Sequence, residues 1–154
     1  MTFAFEKLLV YQKSVDFADN VCSATEQFQS GYGFLVDQLN RAALSISPNI
    51  AQGNRGCTKA DRKNFFGIAR GSVQECLPQF ELARRRGLID DSKHAALKSR
   101  LEAISRILSG LITGLEKGID CCADLANDPH ISVLDGIGAE SSFCAILDNV
   151  CGCR

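Results

Sequence analysis

The segment QLNRAALSISPNIAQG, residues 38–53, decides the predicted fold. Its apolar residues recur every three or four positions, which is typical of a helix with one buried face. These residues are Leu39, Ala42, Ala43, Ile46 and Ile50. Because a proline inside a helix removes one backbone hydrogen bond, Pro48 predicts a bend late in this helix. We therefore expect a helix over about 33–52, followed by a loop over 53–56.

A first helix is predicted upstream, over residues 7–28, by the same periodicity. Polar residues alternate with a broad apolar side, so the helix is amphipathic and one side of it should be buried. The expected main stripe is Leu8, Tyr11, Val15, Ala18, Cys22 and Thr25, widened by Val10, Phe17, Val21, Ala24 and Phe28.

The third predicted helix begins at a capping box and ends in a run of cations. Thr58 is followed three residues later by Asp61, as in the capping box. The arginines at 84–86 suit the negative end of the helix dipole, and Gly87 can adopt a left-handed conformation. Its expected stripe is Phe65, Ala69, Ser72, Cys76, Phe80 and Ala83, widened by Phe66, Val73 and Leu77, with Pro78 expected to bend the helix.

A fourth helix follows, capped by Asp90 or Asp91. Leucine and isoleucine alternate at spacings of four and three along it, which predicts a coiled-coil-like seam. The seam is Leu97, Leu101, Ile104, Leu108, Leu111 and Leu115. Gly110, Gly114 and Gly118 fall four apart, and for the first two we favour close helix approach over a fraying helix end.

Four amphipathic helices joined by short loops predict an all-α, up-down-up-down antiparallel four-helix bundle. The bundle should occupy residues 1–120. Residues 121–154 are acidic, contain cysteines and lack a long periodic pattern, so they are expected to form an irregular, poorly ordered C-terminal appendage.

The overall composition excludes few classes of protein, but the charged residues are distributed unevenly along the chain. The 154 residues are 45% hydrophobic and 23% charged, with a net charge of -1, so no overall charge requires a nucleic acid or a membrane. The charge is uneven, because residues 55–100 are basic and residues 121–154 are acidic. The N-terminal sequence does not have the pattern of a signal peptide, and no apolar run is long enough for a membrane span. We therefore expect a cytoplasmic protein with reduced cysteines.

Four sequence motifs occur in order within residues 5–89. The first, F-x-x-L-x-V-[WY], is matched by Phe5, Leu8, Val10 and Tyr11. The second, Q-L-x-R-A-A-x-S-I, is matched by Gln38, Leu39, Arg41, Ala42, Ala43, Ser45 and Ile46. The third, N-I-A-E-G, is matched by Asn49, Ile50, Ala51 and Gly53, with Gln52 in place of the glutamate. The fourth, E-x-A-R-R-x-G-[YL]-I, is matched by Glu81, Ala83, Arg84, Arg85, Gly87, Leu88 and Ile89.

This ordered set resembles the bacterial four-helix-bundle family first encoded in intervening sequences of large-subunit ribosomal RNA genes. The same superfamily includes the accessory variability determinant proteins of diversity-generating retroelements. The resemblance implies a bundle that assembles into a ring, a homopentamer, with no known enzymatic activity. For the retroelement relatives it implies a basic ring that joins a reverse transcriptase and RNA. The chain departs from the family pattern at Ser47, which displaces the proline by one position, at Pro78 and in the cysteine-containing tail.

Polar residues of the opening segment form the first candidate site: Gln38, Arg41, Ser45, Asn49 and Gly53. They could form a recognition pocket. The favoured interpretation is structural, with a buried polar network that sets the register of helices or subunits. A buried Arg41 would then require a carboxylate, and Glu75 and Glu81 are the candidates.

The second candidate site consists of the cations Arg55, Lys59, Arg62, Lys63 and Arg70. Clustered lysine and arginine residues suit the phosphates of a nucleic acid. The alternative is a solvated face, or ion pairs across a subunit boundary, and we favour this alternative. No aromatic platform accompanies the cluster, so stacking of single-stranded bases has weak support.

Catalytic and metal sites are not predicted, and no cofactor is expected. A di-metal centre in a bundle uses Glu-x-x-His motifs, and neither His94 nor His130 belongs to one. The pairs Cys121-Cys122 and Cys151-Gly-Cys153 lack the usual zinc spacing, so they are either unliganded thiols or ligands of a soft metal.

The leading functional hypothesis is a non-enzymatic, self-assembling scaffold that binds a protein or RNA partner. The alternative is an RNA-binding accessory protein of a reverse transcriptase that uses the basic 55–70 face.

Overall fold

The computed structural model describes residues 3–56 and 58–117. The chain opens with a short 3-10 helix, Ala4–Lys7. Four α-helices follow: α1 (Leu9–Thr25), α2 (Gly33–Arg55), α3 (Lys59–Arg85) and α4 (Asp91–Glu116). No strand occurs in these two ranges. The predicted tail, residues 121–154, lies outside the described residues.

The helices form the predicted four-helix bundle. Each helix packs against the next, and α4 packs back against α1. Side-chain contacts give the directions of α2 and α3: Ser45 meets Ser72, whereas Arg41, earlier on α2, meets Glu75, later on α3. Residue numbers therefore rise along α2 as they fall along α3, which is the antiparallel arrangement expected from short connections.

The core is one apolar cluster drawn from all four helices. The α4 seam is confirmed, since all six predicted members are buried. On α1 the stripe is partly wrong, because Val15 is 42% exposed while Val10, Phe17 and Val21 are completely buried. Both Val15 and Phe17 were expected on one broad apolar side, but only Phe17 is buried, where it packs edge-to-face against Phe80 of α3.

Several predicted helix boundaries shift by a few residues. The first α-helix begins at Leu9 rather than 7 and ends at Thr25 rather than 28. The loop predicted over 53–56 is wrong, because α2 passes through Pro48 without interruption and ends at Arg55. Pro48 lies on an exposed part of the helix, where water can serve the carbonyl that loses its backbone donor.

The predicted helix ends are confirmed at three positions. Thr58 Oγ1 accepts a hydrogen bond from the Asp61 backbone N–H at 3.0 Å, and Asp90 Oδ1 accepts one from the Lys93 N–H at 2.6 Å. Gly87 has φ 69°, and the N–H of Leu88 donates to the carbonyl of Ala83. This bond is part of a Schellman motif, which ends α3 and turns the chain toward α4.

Close helix approach at Gly110 and Gly114 is wrong. A Cβ added at either glycine would have no atom within 4 Å, leaving out the helix's own backbone. Close approach occurs instead at Gly53, which is buried in α2, where an added Cβ would lie 2.6 Å from the ring of Phe66. The third glycine, Gly118, lies outside the described residues.

Candidate functional site

The five polar and glycine residues of the opening segment follow the side of α2 that faces α3, but they differ in depth. Gln38 and Arg41 are exposed, Ser45 and Asn49 are half-buried, and Gly53 is buried. They therefore do not enclose a single pocket, and each contacts a different level of the bundle.

At the exposed end of this row of five residues, Arg41 forms an ion pair with Glu75 and a hydrogen bond with the Gln38 amide. The Arg41 guanidinium donates to Gln38 Oε1 at 2.6 Å and lies 3.6 Å from Glu75 Oε1. The expected burial of Arg41 is wrong, since its side chain is 70% exposed. Of the two predicted carboxylates, Glu75 pairs with Arg41, whereas Glu81 pairs with Arg84 and Arg85. An exposed pair of this kind contributes at most about 1 kcal/mol to stability.

The middle of the row is a hydrogen-bonded contact between α2 and α3. Ser45 Oγ donates to Ser72 Oγ at 2.5 Å, and Ser72 Oγ donates to the carbonyl of Ile68 at 3.1 Å. On the next turn, the Asn49 amide donates to the Ser45 carbonyl at 2.7 Å. A hydroxyl pair in an otherwise apolar contact favours one register of the two helices over others.

An exposed apolar surface flanks the ion pair. Leu44 and Phe34 are 53% and 61% exposed on α2, and Ile68 and Leu82 are 46% and 38% exposed on α3. Helical spacing places these side chains on the same side as the ion pair. Phe34, Ile68 and Leu82 are each seven residues from Arg41 or Glu75, and Leu44 is three residues from Arg41, spacings that share a helix face. We call this surface the α2–α3 face: Phe34, Gln38, Arg41, Leu44, Ile68, Glu75 and Leu82.

A shallow cavity of about 410 Å³ opens at one end of the α2–α3 face. Phe34 and Leu82 line it together with Tyr32, Leu35 and Arg86. Its lining is mostly apolar, with one cation at the rim, so it could accept an apolar side chain of another protein.

The predicted cation cluster lies where α2 ends and α3 begins. Arg55, Lys59 and Lys63 are exposed, and Arg62 and Arg70 are half-buried. We call these five residues the basic surface. A Cβ at Gly56 would lie 2.7 Å from Arg62 Cγ, so the connection between the helices passes close to the α3 cations.

The end of α4 reaches the basic surface. Lys63 Nζ lies 2.5 Å from Glu116 Oε1, and both side chains are about half exposed. The hydrogen bond from Lys63 and its charge, with a smaller effect of the Arg70 charge, lower the pKa of Glu116. One carboxylate of the chain therefore already lies among these cations.

A second charged cluster lies at the opposite end of α3. The Glu81 carboxylate accepts hydrogen bonds from Arg84 at 2.9 and 3.1 Å and from Arg85 at 2.8 Å. Arg84 also donates to Asp91 of α4 at 3.0 Å, and His94 lies 3.6 Å from Glu81. The hydrogen bonds from Arg84 and then Arg85 lower the pKa of Glu81 from 4.5 to about 2.

This cluster is not among the predicted sites, although the spacing of Glu81, Arg84 and Arg85 is visible in the sequence. An acid followed three and four residues later by cations is typical of ion pairs on one helix face. Asp91 and His94 join the cluster because α4 folds back on α3. That packing cannot be predicted from the local spacing of residues in the sequence.

Metal ligation and thiol chemistry find no support in the part of the chain that the structure describes. No group of three or more His, Cys, Asp or Glu residues there could hold a metal ion. Burial raises the pKa of the Cys76 thiol to about 12, so it is a poor nucleophile at neutral pH. Cys121, Cys122, Cys151 and Cys153 lie outside the described residues.

None of the helices within residues 3–56 and 58–117 is both long and apolar enough to cross a membrane.

Comparison with known proteins gives a fold relative and a family. The chain is similar to a crystal structure of a protein of unknown function from the S23 ribosomal protein family of Bacteroides thetaiotaomicron. The TM-score is 0.63 at 23% identity, and the match covers 68% of this chain and 98% of the other. At this identity the likeness shows a shared fold. Among curated proteins, none matches the sequence.

The family model described as 23S rRNA-intervening sequence protein matches residues 6–110. This range contains the second, third and fourth motifs, the first motif except Phe5, and most of the α4 seam. Because the match extends over more than half of the chain, the protein belongs to the family of 23S rRNA-intervening sequence proteins.

Proposed function

We propose that the protein is a non-enzymatic scaffold that assembles with copies of itself and presents the assembly to a protein or RNA partner. The observation that carries the proposal is the α2–α3 face. Among the described residues, seven large apolar side chains are exposed, and four of them belong to this face. Contiguous exposed apolar surface is characteristic of protein interaction sites.

A second copy of the chain is the occupant that this face fits best. Arg41 and Glu75 give it one charge of each sign, so it offers no net attraction to a polyanion. Contacts between subunits typically combine a buried apolar part with polar side chains that stay near solvent, and the α2–α3 face supplies both kinds of side chain. In contrast, α4 has no large apolar side chain among the exposed ones.

We further propose a closed ring, a homopentamer, as the resemblance to the ribosomal RNA intervening-sequence family implies. A ring requires a heterologous contact, in which the α2–α3 face of one copy meets a different surface of the next. The proposal includes a cytoplasmic location.

The assembly proposal is tested by light scattering after size exclusion at micromolar concentration. The wild-type chain should elute with the mass of a closed oligomer, and Ile68→Glu should shift the mass toward the monomer, because it places a charge in the apolar contact. Val15→Glu is the matched control, since Val15 is 42% exposed on α1, away from the α2–α3 face. A monomeric wild type, or equal effects of the two substitutions, would contradict the proposal.

The alternative function is RNA binding as an accessory protein of a reverse transcriptase. The exposed cations at the start of α3, Lys59 and Lys63, favour it. RNA affinity should then fall steeply with salt concentration. Charge reversal at Arg62 and Lys63 should weaken binding, and unchanged affinity would eliminate this surface. A reverse transcriptase gene beside the coding sequence would favour this alternative, and a location within a ribosomal RNA gene would favour the first.

A further inference from the structure

The α4 helix ends beside the basic surface. The last residue of α4, Glu116, pairs with Lys63 at 2.5 Å, and Arg70 is close enough to affect its titration. The chain therefore continues from a point that already touches the basic surface. The helix end fixes where the following residues begin, whatever conformation they adopt.

The charge of the following residues is opposite to that of the basic surface. Residues 118–154 contain six acidic residues and one arginine. The acids are Asp120, Asp124, Asp128, Asp135, Glu140 and Asp148. The basic surface contributes five cations, of which Lys63 pairs with Glu116 of α4. Charge complementarity across such a pair of segments favours association.

Covalent connection strengthens this attraction. A segment attached close to its binding surface has an effective concentration in the millimolar range for a short flexible connection. Contacts that are too weak to bind a separate peptide are then sufficient to keep the attached segment on the basic surface. An RNA or another external polyanion would have to compete with this local concentration.

We propose that the acidic segment 118–154 docks on the basic surface of its own chain and shields it from external polyanions. The contact is electrostatic, so it weakens as salt concentration rises. The inference does not rest on self-assembly. It also stands if the protein binds no RNA, because the docking is measured without RNA.

Carbodiimide cross-linking of the full-length chain tests the proposal, because it joins a lysine amine to a carboxylate only where the two are in contact. Lys59 and Lys63 report on the basic surface, and the amide between Lys63 and Glu116 is the internal positive control. Lys13 and Lys93 are exposed lysines elsewhere and serve as negative controls. A mixture of isotopically light and heavy chains separates links within one chain from links between copies.

Charge reversal on the same surface gives the decisive comparison. Arg55→Glu with Arg70→Glu leaves both reporter lysines in place and should lower their links to residues 118–154 by about tenfold. The matched control, Arg86→Glu with Arg100→Glu, changes the net charge equally at exposed positions outside the basic surface and should leave the links unchanged. The links should also disappear at about 1 M salt, where charges are screened beyond about 3 Å.

The expected result is same-chain links from Lys59 or Lys63 to the six acids, sensitive to the first pair of substitutions and to salt. Four results would overturn the proposal. They are absence of these links while the Lys63–Glu116 amide forms, equal linking to Lys13 and Lys93, equal loss in both double variants, and links predominantly between different chains.

Discussion

At the scale of single residues, Gly53 has the clearest physical role. A Cβ there would lie 2.6 Å from the ring of Phe66, which is itself completely buried. Real Cβ atoms do not approach other atoms so closely, so a larger residue would force α2 and α3 apart or displace the ring. The glycine of the N-I-A-E-G motif is therefore a requirement of helix packing, and no ligand is needed to explain it.

Replacing this glycine gives a residue-scale prediction. Gly53→Ala should lower the free energy of unfolding by about 1–2 kcal/mol, because overpacking costs more than the roughly 1 kcal/mol that alanine gains in helix propensity. Gly110→Ala is the matched control, since Gly110 lies inside α4 with nothing within 4 Å of an added Cβ. This control should raise stability by up to about 1 kcal/mol. Urea denaturation measures both changes, and stabilisation by Gly53→Ala would refute the packing argument.

At the scale of helices, contacts at both ends of α3 connect it to its neighbours. Near its start, Lys63 pairs with the end of α4, and at its other end Arg84 bridges Glu81 and Asp91. Ser72 lies between them and contacts Ser45 of α2. Apolar side chains supply most of the attraction between these helices, whereas polar contacts of this kind favour one alignment of the helices over others.

The Glu81 cluster gives an element-scale prediction about pH. The pKa of the Glu81 carboxyl is about 2 in the folded protein, below its ordinary value of 4.5. The stabilisation is therefore fully present above about pH 4.5 and is lost as pH falls toward 2. Glu81→Gln should be less stable than wild type at pH 7, and the difference in urea midpoint should shrink toward zero near pH 2. Glu102→Gln on α4 is a control with the same change of charge, and a pH-independent difference for Glu81→Gln would contradict the prediction.

At the scale of the whole molecule, the bundle is complete within the described residues. Within the part of the chain that the structure describes, the buried residues of the apolar core run from Leu8 to Leu115. The structural relative from Bacteroides thetaiotaomicron is matched over 98% of its length by only 68% of this chain, so its own fold consists of the bundle.

Truncation gives the whole-molecule prediction. A chain that ends at Lys117 should keep a cooperative thermal transition, with a melting temperature within a few degrees of the full-length protein, because it retains the whole apolar core of the described residues. Circular dichroism during heating measures the transition. Loss of cooperative unfolding in the shortened chain would mean that residues 118–154 are required for the bundle.

Much of the fold could be predicted because helical periodicity is a local property. The α4 seam, the caps at Thr58 and Asp90 and the left-handed Gly87 depend on residues within a turn or two of each other. Predictions failed where a distant residue decides. Val15 and Phe17 were both predicted on the apolar side of α1, but only Phe17 is buried, where it packs against Phe80. The glycines of α4 had helical spacing like that of a close contact, but no helix approaches them closely.

The sequence by itself determined the helices, their order and, through four motifs spaced along the chain, the family. Only the tertiary structure decided which residues share a surface. It placed Arg41 beside Glu75 in solvent, with apolar side chains around the pair, and it brought Glu116 to Lys63 from the end of another helix. The physical reason is that a helix forms from contacts within three or four residues, whereas a surface or a site forms from contacts between residues that are far apart in the chain.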